Sequence, residues 1–214
     1  MNLTILQSSA DHPVNAFLDK WISKNQLIHD VHLVRSKNEL IGGDLLFLIS
    51  CSEIITKEDR KKYKKVLVIH ASDLPKGRGW SPHVWEIING SEEITLSLLE
   101  AEDTVDSGDI WNKVAVNIPK TALFEEINYL IFEMELWLMD FAVQHFHSIV
   151  PIPQSTDTEV TYWPKRKPED SEIDVNRTIS DQFDAIRVCD INRFPAFFYK
   201  DGKKFLLKVE AVDE

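Results

Sequence analysis

Two residues in this chain are of the type and in the setting to move protons. His70 ends the apolar, β-branched run VLVIH (66–70), and a Ser/Asp/Pro/Gly turn follows it. Such a run reads as a buried parallel strand that delivers an imidazole to the mouth of a sheet, where open α/β sheets bind their ligands. Asp106 lies in EDTVDSGD (102–109), after the apolar alternation ITLSLL (94–99). An imidazole titrates near neutrality, and a carboxylate beside it holds its tautomer or raises its basicity, so two neighbouring strand ends predict a proton-handling pair. Taken singly, each residue fits a plainer role: a hydrogen-bonded histidine at a strand end, and a turn carboxylate.

A sheet must hold them. Leu3–Gln7 reads as a first strand, followed by SSADH, which offers several helix caps, and by Val14, Phe17, Leu18, Trp21 and Ile22 at helical spacing. Asp30–Val34 is a second strand. Leu45–Ile49, apolar at every position, is a central strand, and a loop with a short helix leads to the His70 strand. Beyond the turn come a helix in SPHVWEIINGS, strands at Ile94–Leu99 and Ile110–Ile118, and a long amphipathic helix expected from Pro119 to about Val150, with His145 and His147 in its last turn. Strand, helix, strand, strand, helix, strand over the first 70 residues predicts an α/β fold with a Rossmann-like, open, mostly parallel sheet. The proline-bearing segment PIPQSTDTE marks a boundary. Residues 1–150 are the expected catalytic core. Residues 151–214 are a C-terminal extension packed on it, with a short helix in ISDQFDAIRVCD and a hairpin turning at KDGK.

At 214 residues the chain suits one α/β domain with a small appendage. Its net charge of −11 disfavours a nucleic-acid partner, since phosphate-backbone affinity rests on Lys and Arg. No apolar run is long enough to span a membrane, and MNLTILQSS lacks the charged start of a secretory signal, so a cytoplasmic location is expected. Cys51 and Cys189 fit no metal or redox spacing and are expected as free core thiols; no metal-ligand set is expected either.

The two motifs, HxSxLPxxRG (70–79) and DxxDSGD (103–109), resemble the formyltransferase family that takes a one-carbon unit from 10-formyltetrahydrofolate. His70, Ser72, Leu74, Pro75, Arg78 and Gly79, then Asp106, Gly108 and Asp109, match patterns that in the family read roughly NxHxSLLPxxRG and DEGxDTGD. A second resemblance lies in the tail. Tyr162, Lys165, Arg166, Pro168, Glu169, Asp170, Ile173 and Asp174 match the YxxKRxPEDxxIDW of members that formylate nucleotide-linked amino sugars, with Val175 in place of the tryptophan. Phe194–Phe197 matches a later PxPGAF-like element more loosely.

The resemblance implies an N-formyltransferase acting on the amino group of a nucleotide-linked 4-amino-deoxysugar, such as the pseudaminic acid precursor, with His70 and Asp106 catalytic. It implies a pterin held by the loop around Ser50, Cys51, Ser52 and Ile54 and by Glu100, Glu102, Asp103, Thr104 and Val105. Ser72, Lys76, Arg78, Gly79, Trp80, Tyr162, Lys165 and Arg166 would meet the substrate, and Arg187, Trp163 and Phe198 are further candidates for its diphosphate or base. A glycinamide ribonucleotide transformylase and a non-catalytic folate- or nucleotide-binding protein remain as alternatives, and the protein is expected as a monomer or homodimer. The family's asparagine, which hydrogen-bonds the formyl oxygen, falls on Val68. Another side chain, a backbone N–H or a protonated His70 must replace that donor, or the protein is slow or inactive.

Overall fold

A computed structural model describes residues 1–212. The elements are β1 (Asn2–Leu6), α1 (Asn15–Asn25), β2 (Asp30–Val34), β3 (Gly43–Leu48), α2 (Lys57–Arg60), β4 (Tyr63–His70), β5 (Arg78–Gly79), α3 (Pro82–Ile88), β6 (Glu93–Glu100), β7 (Ile110–Asn117) and α4 (Phe124–His145). The extension adds β8 (Tyr162–Trp163), α5 (Phe183–Arg187), β9 (Ala196–Lys200) and β10 (Lys203–Leu207). Six strands form the main sheet in the order β2-β1-β3-β4-β6-β7. The first four pair in parallel, and β6 runs antiparallel to both β4 and β7.

Alternate side chains of each strand face opposite sides of the sheet, which sorts the apolar residues into two cores. Leu3, Ile5, Leu45, Phe47, Leu67 and Ile69 join Leu18 and Trp21 of α1 and Ile131, Leu138 and Met139 of α4 in the larger one. Leu6, Leu46, Leu48 and Val66 meet Leu40, Ile55 and Tyr63 in a smaller one on the other face. Each fully buried Leu or Ile contributes about 1.5–3 kcal/mol. The strand ending at His70 is buried through Leu67 and Ile69, which places the imidazole at the C-terminal edge of a rigid sheet.

Two element boundaries differ from the sequence expectation. The long helix starts at Phe124, not Pro119, because Leu123 is extended and its N–H goes to the Glu126 carboxylate; it ends at His145, so His147 lies outside it. The first helix has Val14 at its N-cap, with no cap from its own side chain; from SSADH the His12 ring accepts the Val14 N–H, and Asn15 donates to the carbonyls of Ser9 and Ala10.

The extension is laid onto the core rather than hung from it. Ile152 exchanges backbone hydrogen bonds with Ile110, and β8 adds in parallel to β5. Ile173, Ile186, Cys189 and Ala196 make a small third core. The hairpin turns at Asp201-Gly202, both with positive φ (+51° and +75°), as a two-residue type I′ turn requires. Cys51 and Cys189 are free thiols. Among the described residues no helix is long and apolar enough to cross a membrane, and no group of three or more His, Cys, Asp or Glu is placed to hold a metal ion.

Candidate active site

The structure brings His70 and Asp106 together. Nδ1 of the imidazole lies 3.5 Å from Oδ1 of the carboxylate, and the two side chains are only 8% and 6% exposed. On the other edge of the ring, Nε2 is 2.9 Å from the Gly77 carbonyl oxygen. A carbonyl only accepts, so Nε2 carries hydrogen, and Nδ1 is the nitrogen left for proton chemistry. The second carboxylate oxygen, Oδ2, accepts the Gly79 N–H at 3.0 Å.

Local sequence explains each placement. Asp106 adopts a left-handed backbone (φ +57°), which Asp tolerates better than most residues. Gly108 follows because the loop presses against β6: a Cβ there would fall 1.9 Å from the Glu100 carbonyl oxygen. The turn after His70 is closed from within. The Ser72 N–H donates to the His70 carbonyl, Ser72 Oγ to the Lys76 carbonyl, and Ser97 Oγ to the Ser72 carbonyl. Gly79 has φ +102°, and a Cβ there would sit 2.4 Å from the Trp163 carbonyl oxygen, so β8 approaches it closely.

Several residues assigned to ligand contact are otherwise engaged. Ser72 is fully buried and spends its hydroxyl inside the turn, so it does not face a substrate. Arg187 is also buried. It bonds the Asp184 carboxylate and the carbonyls of Pro119 and Ala122, and thereby pegs α5 to the approach of α4. Phe198 stacks on Phe205 within the hairpin. The Glu100 carboxylate is taken by Lys65 and by Trp111 Nε1. Trp163 lies nearly parallel to Trp85, with ring centroids 5.9 Å apart, and builds the wall rather than an open platform.

Others are exposed beside the pair. Trp80 and Tyr162 are largely open, Lys165 Nζ stands 4.6 Å over the Trp80 ring, and Lys76 reaches solvent. Arg78 Nη2 donates to Gln154 Oε1 at 2.7 Å, and Arg166 donates to the Asp170 carbonyl and Ser171 Oγ. A crevice of about 500 Å³ opens between Asp73–Lys76, the start of β7 and Ile152–Ser155; neither His70 nor Asp106 lines it.

The two loops assigned to a pterin sit side by side. Ser50 has a left-handed backbone and is exposed, Ser52 pairs with Ser8 through their hydroxyls, and Ile54 and Val105 expose their apolar side chains. Cys51, like Val68 and Ala101, packs against the smaller core. Arg60, which sequence reasoning passed over, ties these loops: it donates to the Ile55 carbonyl and pairs with Asp103 and, at 3.8 Å, with Glu102. Thr104 accepts Ser107 Oγ through its carbonyl. Val68 shares a strand face with His70 but presents only methyl groups there.

Four more groups next to the pair escaped notice in the sequence. Gln154, in the proline-bearing boundary, reaches both Asp106 and Gly108; Thr161 Oγ1 accepts the Gly77 N–H. Glu86 packs its carboxyl against Gly77, where burial, and then the charge of Asp73, push its pKa up to about 7. His83 is pulled down to about 4 by burial and by the neighbouring His70. None of these sits in a recognisable motif, and only the fold reveals them.

Residues 5–143 match the family model described as formyl transferase. The methionyl-tRNA formyltransferase of Rickettsia bellii is 30% identical over 173 residues, 80% of this chain and 56% of that protein. The chain spans about half to two thirds of the length of the curated relatives it matches. Among solved structures, a methionyl-tRNA formyltransferase from Clostridium thermocellum superposes with a TM-score of 0.84 at 24% identity, covering 100% of this chain and 94% of that one. A sugar N-formyltransferase from a Shewanella species gives 0.73 at 18%, covering 100% and 99%. HypX from Aquifex aeolicus, solved with tetrahydrofolic acid, gives 0.76 at 22%, covering 97% of this chain and 37% of that one. These structural likenesses carry the fold alone.

Proposed function

We propose a function from one premise, that the chain belongs to the formyl transferase family: it moves a formyl group from 10-formyltetrahydrofolate to the amino group of a nucleotide-linked 4-amino-deoxysugar. The observation that carries the transfer reading is the buried His70–Asp106 pair. In such a transfer the substrate's amine attacks the formyl carbon, an oxyanion develops on the formyl oxygen, and a proton passes from the amine to the departing folate nitrogen. The substrate brings its own nucleophile, so the protein supplies position, an oxyanion donor and a proton route.

The pair fits that need. With Nε2–H held by the Gly77 carbonyl, Nδ1 and the Asp106 carboxylate are two acceptors 3.5 Å apart, an arrangement that favours sharing one proton. Both N–H groups of an imidazolium in this position are taken, by Gly77 and Asp106, so the ring acts on the developing oxyanion through its charge, which Asp106 offsets. Val68 offers no donor either, so the charge on His70 carries the oxyanion in the proposed mechanism. The loops tied by Arg60, with Ile54 and Val105 exposed, are the proposed seat of the pterin.

The sugar acceptor is supported by the KRxPED segment of the tail, which lies against the Trp80–Trp85 side of the site through Lys165 and Arg166. The pseudaminic acid precursor is the finest form of this proposal. A second reading, formylation of an aminoacyl-tRNA, is favoured by the names of the curated relatives. One assay separates them: the folate donor is offered with a panel of UDP- and dTDP-linked 4-amino sugars, with methionyl-tRNA and with glycinamide ribonucleotide. Transfer to a sugar alone is expected; transfer to the tRNA alone overturns the sugar reading. Folate binding without transfer to any acceptor would point to the non-catalytic alternative.

A further inference from the structure

We propose that Gln154 is a positioning residue for the His70–Asp106 pair, and that the 151–163 segment is therefore a working part of the catalytic unit. The inference rests on the transfer reading for its catalytic meaning, but its geometry stands by itself. The Gln154 side chain makes three hydrogen bonds. Nε2 donates to the Asp106 carbonyl at 2.8 Å and to the Gly108 carbonyl at 2.9 Å, while Oε1 accepts from Arg78 Nη2 at 2.7 Å. One amide thus joins both motif loops.

The orientation of that amide is determined by its neighbours. Two carbonyls can receive only from NH₂, and a guanidinium can give only to the oxygen, so a flipped amide would lose all three bonds. Asp106 needs the support. Its φ of +57° is uncommon for a residue with a side chain, and Gly108 beyond it has no side chain to pack. The Gly79 N–H fixes the carboxylate and Gln154 fixes the backbone that carries it. Gln154 is in turn anchored on both sides. Ile152 and Ile110 exchange hydrogen bonds of 2.8 and 2.9 Å, and further along Thr161 and Trp163 pair with Gly77–Trp80. A chain break or displacement in this segment would release the Asp106 backbone without touching the imidazole.

The test compares Gln154→Met, which removes every polar contact at nearly constant volume, with Gln154→Glu, which keeps the acceptor for Arg78 and loses both donations. Two readouts are taken on the full chain. The first is the Gly79 amide proton, which donates to Asp106 Oδ2, followed by NMR without substrate. A displaced Asp106 weakens that bond, so the amide resonance shifts and exchanges faster with solvent in Gln154→Met. The second is steady-state formyl transfer, where both variants lose kcat on the order of ten- to a hundredfold with little change in the KM for the folate donor. A Gly79 amide with the parent's shift and exchange rate in Gln154→Met overturns the proposal, as does a kcat within twofold in both variants. A fall in melting temperature alone, with the Gly79 amide and kcat kept, likewise assigns Gln154 a merely structural part. If Gln154→Met does not fold, Gln154→Asn, too short to reach both carbonyls, is read by the same two measurements. Because the NMR arm needs no substrate, a parent protein that transfers nothing leaves the positioning claim testable while sinking the transfer reading.

Discussion

The two rims of this site are built on opposite plans. Around His70, nearly every polar group is tied from both sides: Gly77 to the imidazole and Thr161, Gly79 to Asp106, Gln154 to Asp106, Gly108 and Arg78. Around Ser50–Ile55 and Glu100–Val105, one partly exposed arginine does most of the joining, and Ile54 and Val105 stand in the open. The first plan holds atoms within a fraction of an ångström, as a proton-transfer pair requires. The second leaves the apolar side chains of Ile54 and Val105 exposed, as the proposed seat of a flat heterocycle requires. Positional precision belongs to one rim and adaptability to the other.

Four changes can break or sharpen that contrast. The largest effect is expected at the tied rim: His70→Ala lowers kcat about a thousandfold while folate binding, followed by calorimetry, stays near the parent's. Equal losses in binding and turnover would show that the rims are not separate in function. Next comes a gain. Val68→Asn restores an amide on the strand face of His70 and is expected to raise kcat by roughly ten- to a hundredfold; no gain would mean that the donor is already replaced. At the open rim, Arg60→Met is expected to raise the KM for the folate donor roughly three- to tenfold with kcat little changed, because exposed ion pairs hold loops only modestly. A loss confined to kcat would contradict the assignment of that rim to binding.

The smallest effect is a stability difference with pH. Glu86, packed against Gly77, keeps its proton in the folded protein up to about pH 7, whereas the unfolded chain releases it near the ordinary carboxyl value of 4.5. Between those values the unfolded state binds fewer protons, so stability falls as pH rises, and all of the Glu86 contribution is present below 4.5. Glu86→Gln removes that slope. Its melting temperature is expected to match the parent's at pH 4 and to exceed it by ~2 °C at pH 8.

Much of this was legible in the chain. The all-apolar β3 and the β-branched β4 announced a central strand pair, and Asp201-Gly202 announced its hairpin, because side-chain period and turn chemistry are local properties. His70 and Asp106 could be singled out because their loops carry motif residues whose types are themselves local. What stayed hidden depends on who meets whom. Ser72 and Arg187 look alike as candidate ligand residues, and only burial shows both spent on backbone carbonyls. Gln154 stands in a polar, proline-bearing stretch indistinguishable from a linker until Ile152 pairs with Ile110. Pro119 can open a helix, yet α4 starts only at Phe124, because Leu123 is extended and its N–H is met by Glu126.

The stacked indoles of Trp85 and Trp163 have one more consequence. Their ring planes differ by 14° with centroids 5.9 Å apart, one on α3 and the other on β8 beside the pair. Chromophores that close couple their transition dipoles, so the protein carries a built-in circular-dichroism reporter: undocking the segment that bears Trp163 would erase the couplet, with no label attached.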